Sequence, residues 1–127
     1  MTRRRWAWTI ALLAVVLLAV WLVDHELAIT AGYRGSAMAR LDWWRGHREI
    51  KLYGLPSDDR PRFLSLLRSR YGVRANEVAL CTVSHNLVAY ADAYNDVVWM
   101  RLKEEYGHDV VAELSHDLES ETSDARH

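Results

Sequence analysis

Residues 6–23 read WAWTIALLAVVLLAVWLV, an uncharged stretch preceded by Arg3, Arg4 and Arg5 and followed by Asp24 and Glu26. At 1.5 Å rise per residue it makes a helix of about 27 Å, close to the roughly 30 Å of a bilayer's hydrocarbon core. It reads as a transmembrane anchor. Trp6, Trp8 and Trp21 fall near its ends, where an indole keeps its ring in the apolar layer and its N–H among head groups. The Arg run on one side and the acidic pair on the other predict residues 1–5 as a cytoplasmic basic tail, with everything beyond Val23 outside. The expected protein is thus single-pass in the inner (plasma) membrane, with an extracytoplasmic C-terminal domain. A cleaved signal peptide is the rival. Such peptides carry about 7–15 apolar residues with a small-x-small site close behind, whereas this run is longer and Ala37-Met38-Ala39 lies well downstream of it.

With 127 residues in all, the anchor leaves room for one small domain. Near-neutral overall charge conceals an asymmetry: residues 24–74 hold ten Lys/Arg against six Asp/Glu, and residues 75–127 hold three against eleven. An acidic distal half argues against a nucleic-acid partner. The basic residues near the anchor, Arg34, Arg40, Arg45, Arg48 and Lys51, suit either anionic lipid head groups or the acidic half of the same chain. Cys81 is the only cysteine, so no intrachain disulfide forms and the domain must stand on packing. No cysteine follows the apolar run directly, which excludes a lipoprotein.

Beyond the anchor, residues 24–47 read as a juxtamembrane linker. Gly32 and Gly35 loosen any continuing helix, and Ser36 caps a short one over 37–45. Ile50 and Leu52 alternate with Glu49 and Lys51, giving a strand that ends at Tyr53-Gly54. Asp58 or Asp59 caps a helix over 60–71 with Pro61 in its first turn, closed by Gly72 with Val73 beside it. A second strand, apolar on both faces, is expected over 77–83. Ser84 then caps a long helix to Tyr106, ended by Gly107, with Leu87, Ala91, Tyr94, Val98 and Leu102 as its inward stripe. A last helix over 109–119 presents Val110, Val111, Leu114 and Leu118, before a frayed acidic tail, 120–127. The fold class is a membrane-anchored α+β protein: one transmembrane helix, then a small β-α-β-α-α domain over 48–119. Tyr-Gly closes three elements, at 53, 71 and 106. Two strands leave open edges, so a third strand or a second copy of the chain is expected to cover one.

Candidate chemistry is sparse. Cys81 at a strand end and His85 at a helix start form a potential thiolate–imidazole pair, and with Asp92 they define the alternative of a membrane-tethered thiol enzyme or redox protein. The competing reading makes Cys81 a buried apolar side chain. Asp92 and Asp96, four apart on the long helix, repel unless Arg68, Arg70 or Arg74 lies opposite. His108, Asp109, Glu113 and His116 are the only candidates for a metal module, and a solvated helix face explains them as well. Tyr90 and Trp99 lie off the inward stripe, and Trp43 and Trp44 stand beside Arg40 and Arg45, so these four aromatics make the candidate contact surface. No cofactor is called for. No catalytic or phosphate-binding motif occurs, and the function expected is an interaction domain that binds another envelope protein or itself without catalysis.

Overall fold

The computed structural model describes residues 2–124, with side-chain surroundings for 6–24 and 28–121. The elements run α1 (Thr2–Leu27), α2 (Ala31–Trp44), β1 (Glu49–Tyr53), α3 (Arg60–Tyr71), β2 (Arg74–Ala79), α4 (His85–Tyr106) and α5 (Val110–Asp124). The protein is helix-rich, with a two-stranded parallel sheet and one long apolar helix at its N-terminal end.

Helix α4 is the member on which α2, β1 and α5 pack, while α3 lies against α5 and β2. Ser84 starts it in an extended conformation and its hydroxyl accepts from the Leu87 N–H at 3.2 Å, as an N-cap should. Gly107, left-handed at φ 78°, closes it with an N–H to the Lys103 carbonyl. Between them Ala91, Tyr94, Val97, Val98 and Leu102 are buried, the expected stripe widened by Val97, with Leu87 half-buried toward the helix start. Ile50 of β1, Leu67 and Tyr71 of α3, Val73, and Val110 and Leu114 of α5 complete the core.

Helix α2 corrects the expected linker. It begins at Ala31, runs through both glycines, and makes the most extensive inter-helix contact of the chain, against α4. Ala31, Gly35 and Ala39, spaced one turn apart, are its buried face. A Cβ on Gly35 would stand 2.2 Å from the Tyr90 carbonyl oxygen, so the absent side chain is what lets the two backbones meet. The glycines fasten this helix instead of loosening it. Ser36, expected as a cap, lies inside α2 with its hydroxyl on the Ala93 carbonyl at 3.5 Å. The packed part of the chain thus starts near residue 31, well before residue 48.

The strands pair in parallel, Glu49 opposite Arg74 through Leu52 opposite Glu77, then slip so that Tyr53 meets Ala79. The second strand therefore sits earlier than the 77–83 expected. Once Gly72 turns the chain out of α3, Val73 is buried and pairing begins at once. Because β1 stops at Tyr53, Leu80 and its successors have no neighbour to pair with, and Leu80 is 51% exposed. No third strand appears among the described residues. Instead, Asn95 of α4 serves the outer edge of β1: its side-chain oxygen accepts from Lys51 N–H at 2.7 Å and its amide donates to Lys51 O at 2.8 Å. One side chain supplies the two bonds that a neighbouring strand would make.

Three smaller departures concern helix ends. Asp59 holds the N-cap position of α3 but makes no capping bond, and Pro61 lies in the first turn as expected. Asp109 caps α5, accepting from Val111 and Ala112 N–H at 3.1 Å. That helix continues to Asp124, into the stretch expected to fray, with Glu121 paired to Arg62 of α3; residues 125–127 lie outside the described part.

Candidate functional site

Cys81 and His85 are both exposed, and neither side chain makes a hydrogen bond among the described residues. The thiol lies in the bend between β2 and α4, outside the strand, so the alternative of a buried apolar cysteine is overturned. The expected thiolate–imidazole contact is not made.

Asp92 is not paired with an arginine. It accepts a 2.5 Å bond from the Tyr53 hydroxyl, which, with partial burial, raises the Tyr53 phenol above its ordinary range. Of the three arginines offered for Asp92, Arg70 turns to α5 and holds Glu113 at 3.2 Å and Asp117 at 2.5 Å. Glu113 also accepts from Tyr71 Oη at 3.1 Å and lies 2.5 Å from His108 Nε2. The carboxylate proposed as a metal ligand is thus held by a guanidinium, a phenol and an imidazole, and Asp109 is occupied as a helix cap. Among the described residues no group of three His, Cys, Asp or Glu side chains is arranged to hold a metal ion.

The aromatic candidates separate. Trp43 is half-buried against the core, with the Arg48 guanidinium 4.8 Å from its ring centre. Tyr90 and Trp99 also pack partly on the core, and the Tyr90 backbone carries the contact with Gly35. Trp44 is 83% exposed. Of the anchor flanks, Trp6, Trp8 and Trp21 are all exposed, while the side chains of Arg3, Arg4 and Arg5 lie outside the described part.

Inside the domain, Tyr94 is fully buried and donates to Asp42 of α2 at 2.8 Å; burial first, and that bond second, push its phenol far above the usual range. Lys51 Nζ lies 4.7 Å from the centre of the Tyr94 ring and is ion-paired to Glu49. Partial burial works to raise the Glu49 carboxyl, but Lys51, Asn76 and Arg74 outweigh it and hold it below its ordinary value. This cluster ties α2, β1 and α4 together.

Sequence reasoning expected open strand edges but, with the strand set at 77–83, missed where the outer edge of β2 falls; the only strand neighbour of β2 among the described residues is β1. Residues 74–77 are exposed, and a groove of about 690 Å³ runs beside them, lined by Pro61, Leu64, Ser65 and Arg68 of α3 with Arg74 and Ala75. The signal was present: Arg74-Ala75-Asn76-Glu77 is too polar for a strand covered on both sides. No family model, curated protein or solved structure matches the chain.

Proposed function

We propose that the chain is a single-pass membrane protein whose small domain, held outside the cytoplasm, binds another envelope protein or a second copy of itself and performs no catalysis. The observation that carries this reading is the state of α1. Its segment Trp6–Asp24 has a mean hydropathy of 2.5 and buries none of its length within the protein. Twelve large apolar side chains from Trp6 to Leu22 are left half or more exposed. At about 1.5–3 kcal/mol for burying each, their exposure to water rivals the roughly 5–15 kcal/mol of net stability of a folded domain. A bilayer removes that cost. The Arg3-Arg4-Arg5 run before the span and Asp24 after it set the orientation, with the N-terminus in the cytoplasm.

Binding is assigned to the free edge of β2, because β1 has its outer edge answered at Lys51 by Asn95 and β2 has nothing equivalent among the described residues. An extended segment laid in the adjoining groove would gain main-chain hydrogen bonds from β2, with Arg68 and Arg74 favouring an acidic one. The test is photocrosslinking in intact cells from Ala75 or Glu77, with exposed Asp96 on α4 as control, alongside a reporter active only outside the cytoplasm fused after His127. The reading expects an active reporter and a discrete adduct from the β2 positions alone. A silent reporter, or equal yields at all three positions, contradicts it.

A further inference from the structure

We propose that the outward face of α2 lies on the head-group layer of the membrane in which α1 is anchored, contacting anionic lipid through Arg34, Arg40 and Arg45. The inference rests on the reading of α1 as a membrane span.

The packing of α2 fixes which side is free. Ala31, Gly35 and Ala39 face α4, and Asp42, the only acidic residue of this helix, is turned inward to the Tyr94 hydroxyl. At 100° per residue the opposite face carries Tyr33, Ala37, Arg40, Leu41 and Trp44, flanked by Arg34 and Arg45. Tyr33 is 79% exposed and Trp44 83%. Aromatic rings interleaved with arginines and no carboxylate make the composition of a helix that lies in a lipid interface.

The ion pairs of the domain sharpen this by subtraction. Basic residues of the first half do find acidic partners in the second: Arg48 with Glu105, Arg62 with Glu121, Arg70 with Glu113 and Asp117. Arg34, Arg40 and Arg45 have no ion pair or side-chain hydrogen bond among the described residues. Arg68 and Arg74, beside the β2 groove, are unpaired as well, but these three are the arginines of α2 and its C-cap.

The joint between α1 and α2 holds that face near the bilayer. Only three residues separate the helices, and the Asp24 carboxylate accepts from both the N–H and the hydroxyl of Thr30, each at 2.7 Å. Ile29 turns back beside Ala19, Val20 and Val23 of the span, around a small apolar notch. The start of α2 is therefore pinned at the level where the hydrocarbon ends, and each unpaired arginine near an anionic surface adds attraction that salt screens.

The experiment uses the full chain in a Cys81→Ser background, spin-labelled at Ala37→Cys, Leu13→Cys or Asp96→Cys. The chain is placed in bilayer nanodiscs of phosphatidylcholine alone or with 30% phosphatidylglycerol, and the accessibility of each label to oxygen and to a water-soluble nickel complex gives its depth. The expected result puts Leu13 in the hydrocarbon, Asp96 in water, and Ala37 at head-group depth in the anionic discs. Replacing Arg34, Arg40 and Arg45 with Gln, or raising salt, is expected to return Ala37 toward water while Leu13 stays put. Ala37 in water with Leu13 embedded overturns the docking and leaves the anchor standing; Leu13 in water overturns the anchor itself. Dipolar broadening at Ala37 in discs holding two chains, absent with one chain per disc, assigns the face to a second copy and overturns the lipid contact. An Ala37 depth unaffected by lipid charge and by the arginine replacements overturns the charge-based contact.

Discussion

Two glycines three residues apart in α2 carry opposite predictions. Gly35→Ala places a methyl carbon 2.2 Å from the Tyr90 carbonyl oxygen, a backbone atom that cannot swing aside. Moving α2 away from α4 should cost about 1–3 kcal/mol, the usual penalty of overpacking. Gly32→Ala meets nothing closer than 3.8 Å, and trading Gly for Ala within a helix is worth up to about 1 kcal/mol in the other direction. Thermal unfolding of the full chain in detergent should therefore show a lowered Tm for the first and an unchanged or raised Tm for the second; a fall of equal size in both would mean that α2 does not pack on α4 as described. Tyr94 offers a second test. Its phenol is raised by burial and by Asp42, so the folded state favours the protonated form. The resulting stability is complete below the unfolded tyrosine value of about 10 and is lost as pH rises above it. Stability should therefore fall with alkali above about pH 10, less steeply in Tyr94→Phe, and the comparison is made by chemical denaturation at each pH.

At the scale of elements, helices whose ends are locally encoded were legible: Ser84 and Gly107 bracket α4, and Pro61 and Gly72 bracket α3. Elements defined by distant partners were not. The reach of β2 depends on where β1 stops, which no window over residues 77–83 contains. The role of Gly35 depends on Tyr90 across the fold, and a glycine in sequence reads equally as a helix breaker or as a place of close approach. The three Tyr-Gly pairs were legible as terminators, and Gly54, Gly72 and Gly107 all have positive φ. What could not be read is that the Tyr71 and Tyr106 rings meet edge to face at 4.8 Å. Asn95 was silent for the same reason, though it answers the outer edge of β1. Asn95→Ala strands the Lys51 N–H and carbonyl and should cost about 1–3 kcal/mol, with Lys51 amide exchange accelerated more than that of core residues in α4. Unchanged exchange at Lys51 would show the edge to be satisfied some other way.

For the whole molecule, the charge asymmetry visible in the sequence becomes physical. Three basic residues of the first half are spent on acidic helices α4 and α5; of those left over, Arg34, Arg40 and Arg45 lie along α2 and its C-cap, and Arg68 and Arg74 line the β2 groove. The candidate chemistry was least legible, because residue type and spacing place Cys81 near His85 and gather acids on α5 without saying which contacts form. The fold answers with a thiol in solvent and carboxylates held by Arg70, Tyr71 and His108. That exposed thiol, the chain's only cysteine, makes the central claim directly measurable. Intact cells are treated with a membrane-impermeant maleimide, and Cys81 labelling is read on chain recovered from carbonate-washed membranes. A span at residues 6–23 with the domain outside predicts full labelling without breaching the inner membrane; labelling only after that membrane is opened, or chain released by the carbonate wash, would contradict it.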